Sequence, residues 1–293
     1  MPARSKPGRN PSTATSRSSK PARLPLRYAP DTQPGTKPAE AIPLVELGWI
    51  LKALAIVFLA AFLCAYGTIC ILFSRTQWQI ILHPSRTVAA TPASFNASYT
   101  AVQFGVDNSG LPQLTGWWIP APSQTLRSAL ILPSGNGSSA DALPAARLLH
   151  QQNLNVLLFD YRGYGHSGGE HPTQATMEAD AGAALAYLTS TRSIPPSSIA
   201  VYGIGLGASL AVHLCAQNPA LPALILQSPD GDTEKRVRQD SRSRLTPFHH
   251  LFNEPFALNA PLRRLPTPRL ILNGSPNPAD LAPFLSAHLP PSR

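Results

Sequence analysis

Hydrophobic positions fall into two regimes along this chain. From Ala53 to Phe73, 21 consecutive residues carry no charge, and at about 1.5 Å per residue a helix of that length reaches roughly 30 Å, the hydrocarbon thickness of a bilayer. Beyond Ser74 the apolar residues come in short, β-branched or aromatic runs at Thr100 to Val106, Thr115 to Ile119, Ser128 to Leu132, Asn155 to Asp160, Ile199 to Tyr202, Ala223 to Gln227 and Arg269 to Leu272. Helical patterns stand between or after them at Ala140 to Gln152, Thr173 to Thr191, Gly207 to Gln217 and Pro278 to His288. Continuous apolar strands alternating with helices predict a mostly parallel sheet covered on both faces. The first two runs are separated only by the turn residues Asp107 to Pro112, which predicts an antiparallel hairpin leading into the parallel part.

The apolar segment reads as a single transmembrane anchor. Trp49 and Trp78 lie just outside its ends, and Lys52 and Arg75 bracket it. A cleaved signal peptide is the competing reading, but signal cores are shorter, their leaders are rarely this long, and no small-x-small site follows Phe73. Nine basic residues against Asp31, Glu40 and Glu46 precede Ala53, so the N-terminal part contributes +6 of the formal +9. Lys37 and Lys52 are the basic residues near enough to the helix to weigh on orientation. They place the N-terminus in the cytoplasm and the remainder on the opposite side. The expected organisation is a disordered basic Pro/Ser-rich tail over 1–48, the anchor over 49–75, a linker over 76–99 and an α/β domain over 100–293. From Ser74 onward the charges nearly balance, which excludes a folded basic face for nucleic acid. Cys64 and Cys70 fall inside the anchor, and Cys215 reads as a buried apolar thiol, so no disulfide framework is expected.

The chemistry-bearing motifs lie at the ends of the predicted strands. Ile199 to Leu210 reads as a strand, a turn containing Gly203, Gly205 and Gly207, then a helix. Asp160-Tyr161-Arg162-Gly163-Tyr164-Gly165-His166-Ser167-Gly168-Gly169 follows the fourth strand, and Leu132-Pro133-Ser134-Gly135-Asn136-Gly137 follows the third. Together with Ile81-Leu82-His83-Pro84-Ser85-Arg86 and Gly116-Trp117-Trp118-Ile119-Pro120, these resemble the α/β-hydrolase superfamily, in particular its membrane-anchored serine-hydrolase group of Bem46-like and ABHD type. The resemblance covers about Trp78 to the C-terminus. It implies the α/β-hydrolase fold, a nucleophile elbow after strand five, an acid in a turn after strand seven and a base after strand eight.

Measured against that pattern, the triad is degenerate. The elbow G-x-S-x-G has Gly205 where the serine belongs. The acid position, in Asn273-Gly274-Ser275-Pro276-Asn277, holds the amide Asn277, and Arg293 comes only 16 residues later, short of the base. An eighth strand and closing helix are thus expected to be absent, leaving the seventh strand as an exposed edge open to a protein partner. The resemblance also places the two oxyanion donors at the backbone amides of Asn136 and Leu206, which could still bind a small anion. Asp280 is expected to cap the last helix, His288 comes too early for the base, and Ser209 reads as packed. By the resemblance, Ser134 occupies the histidine position of the oxyanion loop with no evident base partner, and Asp230 and Asp232 after strand six offer a carboxylate where some relatives place the acid, with no serine for it to help activate; His166, His171 and His249 are the histidines to examine as a base. Arg236, Arg238, Arg242, Arg244, Arg263 and Arg264 make the stretch where hydrolases carry a lid basic, read as a solvated surface with a headgroup contact near the anchor as the lesser alternative.

The functional expectation is a membrane-anchored, non-catalytic α/β-hydrolase-fold protein without metal or cofactor, held to lipid by Ala53 to Phe73. The alternative is a serine hydrolase of ester or acyl substrates with displaced residues or a truncated sequence. A minor alternative reads Gly203-Ile204-Gly205-Leu206-Gly207-Ala208 as a dinucleotide fingerprint, against which no acidic residue ends the following strand.

Overall fold

Seven strands form one sheet in the computed structural model, which describes residues 46–107, 109–231, 233–241 and 251–291. The chain divides into two compact units, Met1–Ala53 and Leu54–Arg293. Among the described residues the first unit holds only the opening turns of helix α1 (Leu47–Thr76). The expected tail over 1–48 therefore lies outside the described residues except at its end, where Leu47 and Gly48 are helical. Helix α1 is long and apolar enough to cross a membrane, and only 6% of its apolar window is buried.

The strands of the second unit are β1 (Thr100–Val106), β2 (Pro112–Ile119), β3 (Ser128–Leu132), β4 (Asn155–Asp160), β5 (Ile199–Ile204), β6 (Ala223–Gln227) and β7 (Arg269–Leu272), in the order β1-β2-β4-β3-β5-β6-β7. The hairpin β1–β2 is antiparallel and joins β4 antiparallel, while β4, β3, β5, β6 and β7 run parallel. Helices α2 (Leu143–Gln151), α3 (Gln174–Ala186), α4 (Gly207–Gln217) and α7 (Pro278–His288) cover the faces. Strand period 2 sorts the core. Leu130, Leu132, Leu157, Phe159 and Val201 pack under α3 and α4, whereas Ala129, Ile131, Val156, Leu158 and Tyr202 pack under α2 and α7.

Most elements lie where the apolar pattern places them, and three differences have local causes. Strand β5 continues to Ile204 because Gly203 and Ile204 still pair with Leu226 and Gln227. The third helix ends as a π turn over Tyr187–Thr191. Among its described residues the basic stretch before β7 contains the helices α5 (Thr233–Gln239) and α6 (Asn259–Arg264). Arg238, Arg263 and Arg264 are exposed as expected, but Val237, Phe256, Leu258 and Leu265 are buried, so this stretch also carries core. Asp232, Arg242, Arg244, His249 and the side chain of Arg236 lie outside the described residues.

Helix α4 can approach the sheet only because of two glycines. A Cβ on Gly203 would meet Gly207 O at 2.6 Å and Ala208 Cα at 2.7 Å, and one on Gly207 would meet Leu132 O at 2.2 Å and Pro133 O at 2.5 Å. Gly207→Ala is expected to destabilise by about 3 kcal/mol or more through backbone displacement. Gly182→Ala, at a helical position with no atom within 4 Å of the new methyl, should instead stabilise by roughly 0.5–1 kcal/mol. Urea unfolding of the two variants checks both signs.

The segment ahead of α6 is tied to α3 through a buried carboxylate. Glu254 accepts a hydrogen bond from the Gln174 N–H, and the Gln174 side chain in turn reaches the Phe256 N–H at 2.8 Å and Glu178 at 2.8 Å. Burial first, then the charge of Glu178, raises the Glu254 carboxyl above its ordinary 4.5. The native state thus binds this proton more tightly than the unfolded chain. Its contribution is fully present below 4.5 and is lost as pH rises through the raised folded value. Unfolding midpoints measured from pH 4.5 to neutrality should fall more steeply for the native sequence than for Glu254→Gln; parallel curves would refute the assignment.

Candidate functional site

All five parallel strands end on the same edge of the sheet, and the loops that follow them build the candidate site. After β5 the chain turns at Gly205, whose φ of +55° is a left-handed conformation. Its N–H donates to Gln227 O at 3.0 Å, and its carbonyl accepts from Asp230 N at 3.1 Å and Ala208 N at 3.2 Å. The turn is therefore pinned to both neighbouring elements. It keeps the shape that presents residue 205 at the sheet edge, but glycine presents no hydroxyl there.

The loop after β3 lies directly opposite. A Cβ on Gly205 would stand 3.2 Å from Ser134 Cβ. The Ser134 hydroxyl donates to Asn136 O at 3.2 Å and accepts from Asn136 N at 3.3 Å, so the Asn136 amide is satisfied within its own loop. The Leu206 amide, one of the first of α4, has no carbonyl a turn before it. The loop is held from outside: His83–Pro84 pairs with Asn136–Gly137 as a short parallel bridge, His83 Nδ1 lies 3.1 Å from Asn136 Oδ1, and the buried Tyr164 donates to Gly135 O at 2.7 Å. Burial pushes the Tyr164 phenol above its ordinary range, which keeps it neutral as a donor.

The Asp160-to-Gly169 motif proves to be a lock rather than a reactive loop. Ser167 Oγ donates to Asp160 O at 2.6 Å and accepts from Thr115 N at 2.9 Å, and Asp160 Oδ1 accepts from Ser139 N at 2.8 Å. Arg162 donates to the buried Asp180 through Nε at 2.6 Å and through its backbone N–H at 2.9 Å. Burial raises the Asp180 carboxyl, and the bonds and charge of Arg162 act against that shift. Asp180 carries no motif signature, so only its place on α3 reveals it.

At the acid position, Asn277 faces its own helix: its side chain caps α7 by accepting from Ala279 N at 3.0 Å. This corrects the expected cap, because Asp280 stands in the first turn and only its N–H is engaged, with Asn277 O at 3.1 Å. Ser228, also in a left-handed conformation at φ +44°, accepts from Gly274 N at 3.1 Å and joins the loops after β6 and β7. A serine in a turn gives no sequence signal for such a role.

The remaining candidates do not converge. Ser209 is buried and donates to Leu206 O at 3.0 Å, and burial pushes the Cys215 thiol up to about 12. His288 lies against Phe284, with ring planes tilted by 45°, in the last turn of α7, the end away from the site. His171 stacks on Trp78, and His166 is exposed. Among the described residues, histidine rings hydrogen-bond Asn136, the Pro120 carbonyl and Glu178, and none bonds a serine hydroxyl. Nor do the described residues contain a cluster fit to hold a metal. Gln227, where a dinucleotide site would need a carboxylate, accepts from Tyr202 OH at 2.8 Å. A groove of about 600 Å³ lined by Phe95, Leu143 and Arg147 runs along α2, away from Gly205.

This architecture is that of an α/β-hydrolase. Residues 124–282 match the family described as serine aminopeptidase, S33, and the chain belongs to that family. It is 35% identical over 179 residues to the uncharacterized Mycobacterium tuberculosis protein Rv2307c, covering 61% of this chain and 62% of that protein. It is 30% identical over 189 residues to protein bem46 of Schizosaccharomyces pombe, covering 61% and 60%. The α/β-hydrolase domain-containing protein WAV2 of Arabidopsis thaliana is 33% identical over 147 residues, covering 49% and 47%. The chain thus spans about three fifths of the length of the first relatives it matches. Among solved structures, an esterase of Pyrococcus furiosus superposes with a TM-score of 0.53 at 17% identity over 72% of this chain and 99% of that one. At that identity the likeness speaks for the fold alone.

Gly205→Ser is expected to destabilise by roughly 1–2 kcal/mol, since a Cβ must enter a left-handed turn and press on Ser134 Cβ at 3.2 Å. Hydrolysis of p-nitrophenyl butyrate should not appear in this variant; clear turnover would reveal a base not identified among the described residues.

Proposed function

We propose that this chain is a membrane-anchored member of the family that does not hydrolyse ester or acyl bonds and uses the fold as a binding or partner-dependent module. The observation that carries the reading is residue 205: the one position the elbow presents at the sheet edge holds glycine. Acyl transfer needs a nucleophile and a base acting as a unit. The amide of Asn277, occupied as a helix cap, cannot take the acid's part. The anchor is α1, whose apolar side chains are mostly exposed, Phe73 near its end being buried. The basic residues ahead of it favour a cytoplasmic N-terminus, with the sheet on the opposite side.

A second reading has one observation in its favour. Ser134 abuts the empty elbow position, so a displaced hydroxyl would lie close to where a substrate carbonyl would sit. Its present partners are within its own loop, and no histidine reaches it among the described residues.

Incubation of the full-length protein with a fluorophosphonate probe, followed by peptide mass analysis, separates the two. No labelled serine is expected. Stoichiometric labelling at Ser134, abolished in Ser134→Ala, would establish the second reading.

A further inference from the structure

Helix α1 does not leave the second unit on a free tether. Phe73, Ile81 and Leu82 are buried in the core, and residues 77–86 between the helix and the rest are fastened at successive points. Gln77 donates to Leu251 O at 3.1 Å and accepts from Asn253 N at 3.0 Å. Trp78 stacks on His171 with ring centroids 5.3 Å apart. His83 and Ser85 donate from their backbone N–H groups to Gly135 O at 3.2 Å and Gly137 O at 2.8 Å. The Ser85 carbonyl accepts from Gly165 N at 2.8 Å, and Arg86 donates to Gly169 O at 2.9 Å and to Ser167 O.

These attachments share one location. Residues 135–137 follow β3, residues 165–171 follow β4, and residues 251–253 lie between β6 and β7. They belong to the end of the sheet that carries Ser134 and Gly205. Between Thr76 and His83 lie only one helical turn, Trp78–Ile81, and its flanks, a path of at most about 20 Å. The turn Trp78–Ile81 packs against α5, whose sequence has three basic residues to one acidic.

We infer that residues 77–86 are a strap that holds the Gly205 end of the sheet against the membrane surface, with the lipid headgroup layer as its partner, so that a ligand reaches the site from the lipid side. This inference rests on the anchoring proposed above. The apolar stretch of α1 ends at Phe73, and Arg75 is exposed, which sets the headgroup level at the start of the strap. The net positive charge of the α5 sequence, in which Arg238 is paired with Glu234, adds an attraction for anionic lipid.

The test uses the full chain in lipid nanodiscs, with Cys64, Cys70 and Cys215 replaced by alanine. A fluorophore is placed either at His166→Cys, on the exposed loop after β4, or at Leu126→Cys, an exposed residue at the opposite end, just before β3. A headgroup spin-labelled phosphatidylcholine serves as quencher. Quenching is expected to be several-fold stronger at residue 166, and the contrast should shrink when Gln77→Ala and Arg86→Ala are combined. Equal or reversed quenching in protein that still floats with vesicles would overturn the orientation and leave the anchor standing. Failure to float would remove the anchor and this inference with it. Vesicles with and without phosphatidylserine read the charge contribution separately, and insensitivity to that lipid would contradict the role given to α5.

Discussion

The close backbone contact of helix α4 with strands β3 and β5 is the constraint on which the rest depends. With no side chain at Gly203 or Gly207, the helix settles onto the carbonyls of Leu132 and Pro133. That seat fixes the start of α4, and hence the tight turn that must join it to β5. The turn forces residue 205 into a left-handed conformation, holds the loop after β3 opposite it, and directs the chain beyond β6 over the same edge. The architecture of an active site is therefore a by-product of packing. Its shape does not depend on which side chain stands at residue 205, because the glycines that form it answer to helix–sheet contact.

The same distinction explains the loop after β4. Its Asp, Arg and Ser residues resemble catalytic types, yet each is consumed by a structural bond: Asp160 to Ser139, Arg162 to Asp180, Ser167 to Asp160 and Thr115. Buried polar groups of this kind must be fully satisfied, since one left without a partner costs more than the bond itself contributes. The loop then serves as the foundation for the segment 77–86 that leads in from α1.

Much of the fold was legible because strands β3 to β6 are buried on both faces and read as unbroken apolar runs, and because the turns around Gly205 and Gly163 leave few alternatives. The helices α5 and α6 were not legible: they are short, and their arginines outnumber the few apolar residues, Val237 and Leu262, that seat them. Segment 77–86 was equally opaque, since its attachment depends on backbone carbonyls and on Gln77 and Arg86 reaching residues far along the sequence. At the site, the absence of a hydroxyl at residue 205 could be read directly from the sequence. That Asn277 caps α7 in place of Asp280, and that Ser134 satisfies the Asn136 amide, are matters of side-chain direction within a few residues, which spacing does not encode.

What remains is chemistry at a single position. A hydrolase of this fold passes through a covalent acyl-enzyme, so the first turnover of an activated ester releases one alcohol per site before water acts. Rapid mixing of the full-length protein with p-nitrophenyl acetate measures that release directly. The account predicts no burst above buffer, because no oxygen stands at residue 205 to be acylated. A burst approaching one p-nitrophenol per chain would contradict it.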